Sequence, residues 1–242
     1  MNCLRDPEMA PLWQVHGDAE AWADAAASAI ATVLSKALSR QRECLLLLSG
    51  GSTPEPVYRR LAAETLDWSR VRVSLVDERY LAPGHPSSNA RLIRSVFADG
   101  NPGAKVWPLV ESGLGLDECV ALANQRWLEF GQPATVVVFG MGEDGHTASL
   151  FPGAKGLDAA LRSQAAYVAV DASACAGAGD FPRRITLTPH GWRDAAARFL
   201  LISGSRKRRV FERAAADGSA ERFPINAAID QGGAALHVHW SP

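Results

Sequence analysis

Between residues 18 and 38 the apolar and small positions Trp22, Ala26, Ile30, Val33, Ala37 and Leu38 recur close to a helical period, with Asp18 placed to cap the start. That spacing predicts a long amphipathic helix. Residues 44–48, Cys44-Leu45-Leu46-Leu47-Leu48, are apolar without alternation, and a turn, Ser49-Gly50-Gly51-Ser52-Thr53-Pro54, precedes a helical pattern through Val57, Tyr58 and Leu61. The order is strand, turn, helix. The same grammar returns where residues 71–76 run into a polar loop, where residues 135–139 run into Gly140-Met141-Gly142, and where residues 198–203 open into a Gly-Ser turn and a helix over 206–216. Strands apolar on both faces and separated by helices predict an α/β fold, a mainly parallel sheet covered by helices on both sides. The alternation Leu236-His237-Val238-His239-Trp240 predicts a last strand with both histidines on one face, and the Ala- and Gly-rich residues 171–180 predict a mobile surface loop.

Composition narrows the class. The chain has 242 residues, 47% of them hydrophobic, and no linker-like stretch, so a single domain over residues 1–242 is expected, with residues 1–10 as a candidate disordered start. Lys plus Arg number 25 against 26 Asp plus Glu, so no global field draws the chain to nucleic acid. The longest aliphatic run is four leucines, far short of the roughly 20 apolar residues that cross a bilayer, and residues 1–11 lack the apolar core of a secretory signal. No nucleic acid or membrane partner is expected, and the expected setting is the cytoplasm. Cysteines at 3, 44, 119 and 175 show no C-x-x-C pairing, which argues against zinc or a disulfide framework. His237 and His239 make a poor metal site without a third ligand nearby, so neither metal nor other cofactor is expected.

In a parallel sheet ligands gather at the carboxyl ends of the strands, so the loops there carry the candidate chemistry. Gly50, Gly51, Ser52 and Thr53 read equally as an anion cradle, with Thr53 capping and Pro54 opening the next helix, or as an ordinary turn. Asp77-Glu78-Arg79 directly behind a buried strand is either a solvated rim or a site lining, and Ser88 is placed to cap a helix through Leu92, Ile93 and Val96. Gly140-Met141-Gly142-Glu143-Asp144-Gly145 matches G-x-G-x-x-G in form only. Two carboxylates would repel a pyrophosphate, and Pro152 leaves no room for the long helix that fingerprint needs. What remains is Asp144 and His146 on a glycine-bent turn, either an acid-anchored base or a histidine capping the next short segment. Arg183-Arg184 before the alternating Ile185-Thr186-Leu187-Thr188, and Lys207 at the mouth of a helix, are the basic elements able to meet a phosphate.

At these loops the sequence resembles the 6-phosphogluconolactonase family, which shares its fold with the glucosamine-6-phosphate deaminases. The matching blocks are Leu48 through Pro54, Val76-Asp77-Glu78-Arg79 with Ser88-Asn89, Gly140 through Pro152, Arg184-Ile185-Thr186, and Ser203-Gly204 with Lys207, in order over about two thirds of the chain. The block at 140–152 is the most specific. Deaminases of this fold carry a glutamate five residues beyond the histidine for ring opening, where this chain has Phe151, and a tyrosine where it has Arg79. The section Phe223-Pro224-Ile225-Asn226-Ala227-Ala228-Ile229-Asp230 is only loosely like the family.

The resemblance implies a Rossmann-like fold of the NagB/RpiA/CoA-transferase type and hydrolysis of 6-phosphoglucono-δ-lactone to 6-phosphogluconate, the second step of the oxidative pentose phosphate route. It implies a small-molecule substrate, no cofactor, and a monomer or weak homo-oligomer. The amides of Gly50, Gly51, Ser52 and Thr53, with Arg184 and Lys207, would hold the phosphate, while Arg79 would assist them or reach sugar hydroxyls. His146 would deprotonate the attacking water, Asp144 would orient the imidazole, and amides near 142–145 would meet the oxyanion. Asp77 stays open between substrate hydroxyl binding and site electrostatics. G-x-S-x-G is absent, which disfavours an acyl-enzyme. The rivals are a deaminase or other sugar-phosphate isomerase on the same scaffold, and a catalytically silent sugar-phosphate sensor.

Overall fold

The computed structural model describes residues 10–99, 103–230 and 234–242; the start expected to be disordered lies, but for its last residue, outside them. In chain order the elements are β1 (Leu12–Val15), α1 (Ala19–Leu38), β2 (Cys44–Leu48), α2 (Glu55–Ala62), β3 (Val71–Leu75), β4 (Asp77–Arg79), α3 (Asn89–Phe97) and β5 (Lys105–Val106). They continue through α4 (Leu116–Phe130), β6 (Val136–Phe139), α5 (Leu157–Arg162), β7 (Tyr167–Asp171), β8 (Arg183–Leu187), α6 (Pro189–Trp192), β9 (Ala197–Ser203), α7 (Gly204–Asp217), α8 (Asn226–Asp230) and β10 (Leu236–Ser241).

Seven strands form one sheet in the order β1-β10-β9-β6-β2-β3-β5, and every neighbouring pair is parallel. The predicted α/β architecture is therefore the observed one. Strands β2 and β6 are buried along their whole length because both sheet faces are covered, which is why their sequences lack alternation. Helix α1 turns Trp22, Ala26, Ile30 and Leu34 into the core, and Asp18 caps it by accepting from the Ala21 N–H at 2.8 Å. No helix among the described residues is long and apolar enough to cross a membrane.

Chain order decides where a ligand can enter. From β2 the chain moves outward through β3 and β5, then returns to β6 on the opposite side of β2 and continues through β9 and β10. Progression thus reverses between β2 and β6, the switch point at which loops diverge and leave a crevice at the carboxyl ends. A second, antiparallel sheet, β4-β8-β7, carries further residues to that end. Here the structure corrects the sequence: the expected polar loop after β3 is a short strand. Three charged residues give no strand signal by themselves; their partner β8 supplies the ladder.

The two C-terminal histidines share a contact, as expected from alternation. Both rings pack on Phe199, and the buried His239 Nδ1 lies 3.2 Å from Nε2 of His16. Burial, followed by the neighbouring His16 and His237, pushes the His239 pKa down to about 4. Between pH 6.5 and 4 the unfolded chain thus binds the extra proton, and stability falls as pH drops through that window. The expected loss, about 2 kcal/mol between pH 7 and pH 5, should appear in urea unfolding at those two pH values. His239→Gln should flatten that pH dependence, and an unchanged slope would clear His239 of the effect.

Candidate active site

The turn after β2 is shaped by its neighbours. A Cβ on Gly50 would come within 1.9 Å of Asn89 Oδ1, so the backbone passes where any side chain would collide. Tyr58, fully buried, donates its hydroxyl to the Ser49 carbonyl at 2.9 Å and fixes the start of the turn. Helix α2 begins one residue later than the sequence suggests: Pro54 is the cap residue, and no side chain, Thr53 included, caps it. A first turn without a side-chain cap leaves its amides available to an anion.

Asp77 and Glu78 are not a solvated rim, since they are only 7% and 1% exposed. Glu78 is a structural carboxylate. It accepts from the N–H groups of Arg79, Asn89 and Ala90 and from the Ser88 hydroxyl, at 2.7–2.9 Å, which closes the amino end of α3 beside the Ser88 cap. Burial raises its pKa, opposed by those donors. Glu78→Ala should cost about 2–4 kcal/mol, because it orphans several buried donors at once. A loss under 1 kcal/mol in equilibrium unfolding would contradict that role.

Asp77 takes the Ser149 hydroxyl at 2.5 Å, receives the Asn89 amide on its carbonyl at 2.9 Å and lies 3.8 Å from Arg184 Nη1. Across the β4/β8 ladder Arg79 stands directly opposite Arg184. Like charges in register repel. The arrangement persists because each guanidinium is tied down: Arg79 donates to Ser87 O and Asn89 Oδ1 at 2.7 and 2.8 Å, and Arg184 donates to Phe181 O and Ala178 O at 2.5 and 2.6 Å.

Lys207 arrives from another direction, on the first turn of α7. That helix is seated by Trp240, whose indole donates to the Gly204 carbonyl at 3.0 Å, and by Arg208 lying over both Trp240 and Trp13. Lys207 forms no ion pair among the described residues, and desolvation lowers its pKa, opposed by the charge of Glu143. A half-buried, unpaired ammonium is a strong invitation to an anion.

His146 follows β6 on a tightly folded loop. Gly142 N–H donates to His146 O at 2.9 Å, and a Cβ at Gly142 would lie 2.2 Å from the imidazole. Thr147 Oγ1 donates to Gly140 O at 2.9 Å. Asp144 Oδ1 meets His146 Nδ1 at 2.6 Å. Burial raises the Asp144 pKa, but the hydrogen bonds and charge of His146 outweigh it and hold the carboxyl below its ordinary value. An ionised acid has no proton to give, so Nδ1 is the donor and Nε2 keeps the lone pair.

A cleft of about 360 Å³ is lined by Gly50, Gly51, Ser52, Thr53, Asp77, Arg79, Arg184 and Lys207 together with His146. Asp144 stands behind the imidazole. The residues assigned to the site from sequence are thus brought together, while Arg183, His237 and His239 lie outside that lining, and the cleft wall takes in further residues, among them Asn89, Phe151 and Gly177. Asn89 stands out in the sequence only as the residue after the Ser88 cap and as part of the Ser88-Asn89 block that resembles the family, with no role attached. Gly177 gave none, because the expected surface loop folds back: its Ala172 and Ala178 are buried, and Gly177 approaches Asp144 closely enough that a Cβ would lie 2.5 Å from Oδ2. The amides of Gly142 and Gly145, expected to face an oxyanion, donate instead to carbonyls inside the loop.

A cationic crevice at the switch point of a parallel sheet, holding one acid-anchored imidazole, defines an α/β enzyme of small anionic substrates. Residues 17–240 match the family model for glucosamine-6-phosphate isomerases/6-phosphogluconolactonase. A 6-phosphogluconolactonase of Xylella fastidiosa (strain Temecula1) is 43% identical over 219 residues, 90% of this chain and 91% of the relative. The solved structure of a 6-phosphogluconolactonase from Shewanella baltica superposes with a TM-score of 0.89 at 30% identity, covering 96% of this chain and 98% of that one. A monomeric glucosamine-6-phosphate deaminase shares the fold, with a TM-score of 0.76 at 19% identity over 95% and 97% of the two chains. The chain belongs to the glucosamine-6-phosphate isomerase/6-phosphogluconolactonase family.

Proposed function

We propose that the chain hydrolyses 6-phosphoglucono-δ-lactone to 6-phosphogluconate with His146 as general base. The observation that carries this reading is the paired Arg79 and Arg184 with Lys207 in the same cleft as an imidazole anchored at Nδ1. The names of the relatives support the lactone as substrate.

The phosphate sits among Lys207, the turn 50–53 and Arg184, whose Nη1 also lies 3.8 Å from Asp77, with Arg79 beside it or on a sugar hydroxyl. This sets the lactone carbonyl at the imidazole. Nε2 takes a proton from water as its oxygen attacks C1. The tetrahedral centre then collapses, the bond from C1 to the ring oxygen breaks, and the imidazolium returns the proton to that oxygen. Asp144 stabilises the transient cation. Asp77, held by Ser149 and Asn89 beside Arg184, fits the electrostatic role better than hydroxyl binding, since one oxygen is already committed at 2.5 Å.

The deaminase alternative lacks a ring-opening acid here, because the position five beyond the histidine is the buried Phe151. A pH-stat with freshly made phosphorylated lactone, spontaneous hydrolysis subtracted, should show enzyme-dependent acid release, and glucosamine 6-phosphate should release no ammonia. Ammonia release without lactone turnover would replace this reading by deamination, and ligand binding with neither product would make the protein a sensor.

A further inference from the structure

Phe151 is the side chain that faces the ring of His146. The two ring centroids are 4.4 Å apart with planes tilted by 41°. Phe151 is 1% exposed, and the guanidinium of Arg184 lies over the same ring, 5.6 Å from its centre. We propose that Phe151 is a positioning residue for the hydrolysis: its aromatic face holds the imidazole at the cleft and favours the imidazolium that forms when Nε2 takes the proton of water.

The inference rests on the reading of His146 as base. An aromatic face carries negative charge and attracts a cation within about 6 Å of its centre. The neutral imidazole gains little from that field and the protonated ring gains more, so the contact strengthens as the reaction proceeds. Arg184 competes for the same ring but is the more distant cation and is held in place by the Ala178 and Phe181 carbonyls. The other charges near the imidazole are Asp144 at Nδ1, Arg79, Asp77 and Lys207 in the cleft wall, and Glu143 in its own loop, with the Cys175 thiol close to Asp144. A change confined to the electron density of the Phe151 ring alters none of these and reaches, besides the imidazole, only Arg184, whose proposed phosphate contact the unphosphorylated lactone does not use.

Singly, triply and fully ring-fluorinated phenylalanine at position 151 provide that change while nearly preserving shape, with Phe151→Leu as a non-aromatic companion. The pH dependence of kcat/KM is read on the phosphorylated lactone and on unphosphorylated gluconolactone. With increasing fluorination the acid limb should move stepwise to lower pH, by a total of about 0.4–1.5 pH units, on both substrates. Plateau kcat should fall while KM for gluconolactone stays within about twofold. An acid limb that stays in place, or a loss seen only as KM for the phosphorylated substrate, would overturn the proposal. His146→Gln separates the two levels. If it abolishes the limb while fluorination leaves the limb unmoved, the base assignment stands and Phe151 is excluded; if the limb survives it, both fall.

Discussion

His146→Gln lowers kcat on the phosphorylated lactone by about 10²–10⁴, the usual contribution of a positioned general base, with KM nearly unchanged. The expectation follows from where the imidazole sits. Nδ1 is occupied by Asp144 at 2.6 Å, and the loop behind it is closed by its own hydrogen bonds, so Nε2 is the basic atom presented to the cleft. Glutamine keeps much of the volume and the hydrogen bonding but takes no proton at neutral pH. Because the proposed phosphate contacts lie on other elements, binding of the substrate should survive. Single-turnover and steady-state rates at pH 7 check this, and retention of more than about a tenth of kcat would remove His146 from the chemistry. Asp144→Asn should also slow the reaction, since an amide can present its carbonyl to Nδ1–H but carries no charge to steady the imidazolium.

Lys207→Ala lowers kcat/KM for the phosphorylated lactone by about 10–150-fold, the worth of one charge-assisted hydrogen bond, and leaves gluconolactone turnover nearly unaltered. Lys207 is the cleaner probe of the anion pocket than Arg184. Two of the Arg184 nitrogens brace the carbonyls of Ala178 and Phe181, so its removal would also release the segment that reaches Asp144 through Gly177. Lys207 has no ion pair to lose among the described residues, and α7 is seated by Trp240 and Arg208 instead. Equal losses on both substrates, measured as initial rates, would place Lys207 outside the phosphate contact.

Local signals made the first layer of this molecule readable. The apolar run 44–48 became β2 with the same limits, because a strand buried on both faces has to be apolar throughout. His146 and Asp144 were legible because two residues of spacing on a glycine-bent turn bring them into contact regardless of the rest of the fold. Strand β4 was not, since its three charged residues form a strand only through the ladder with β8, over a hundred residues away. The reach of Gly177 to Asp144 was equally hidden. It depends on Arg184 gripping carbonyls of a segment whose own composition, alanine and glycine, carries no periodic instruction. The helix start at α2 slipped by one residue because Thr53 has the chemistry of a cap but a turn conformation that leaves it unbonded.

The central claim is geometric: one sugar phosphate spans the cleft, anion at one end and reacting carbon at the other. A crystal structure with 6-phosphogluconate bound tests it most directly. The account predicts the phosphate oxygens on Lys207, Arg184 and the 50–53 amides, with the C1 carboxylate at hydrogen-bond distance from His146 Nε2. A phosphate seated elsewhere, or a C1 carboxylate turned away from that imidazole, would contradict it.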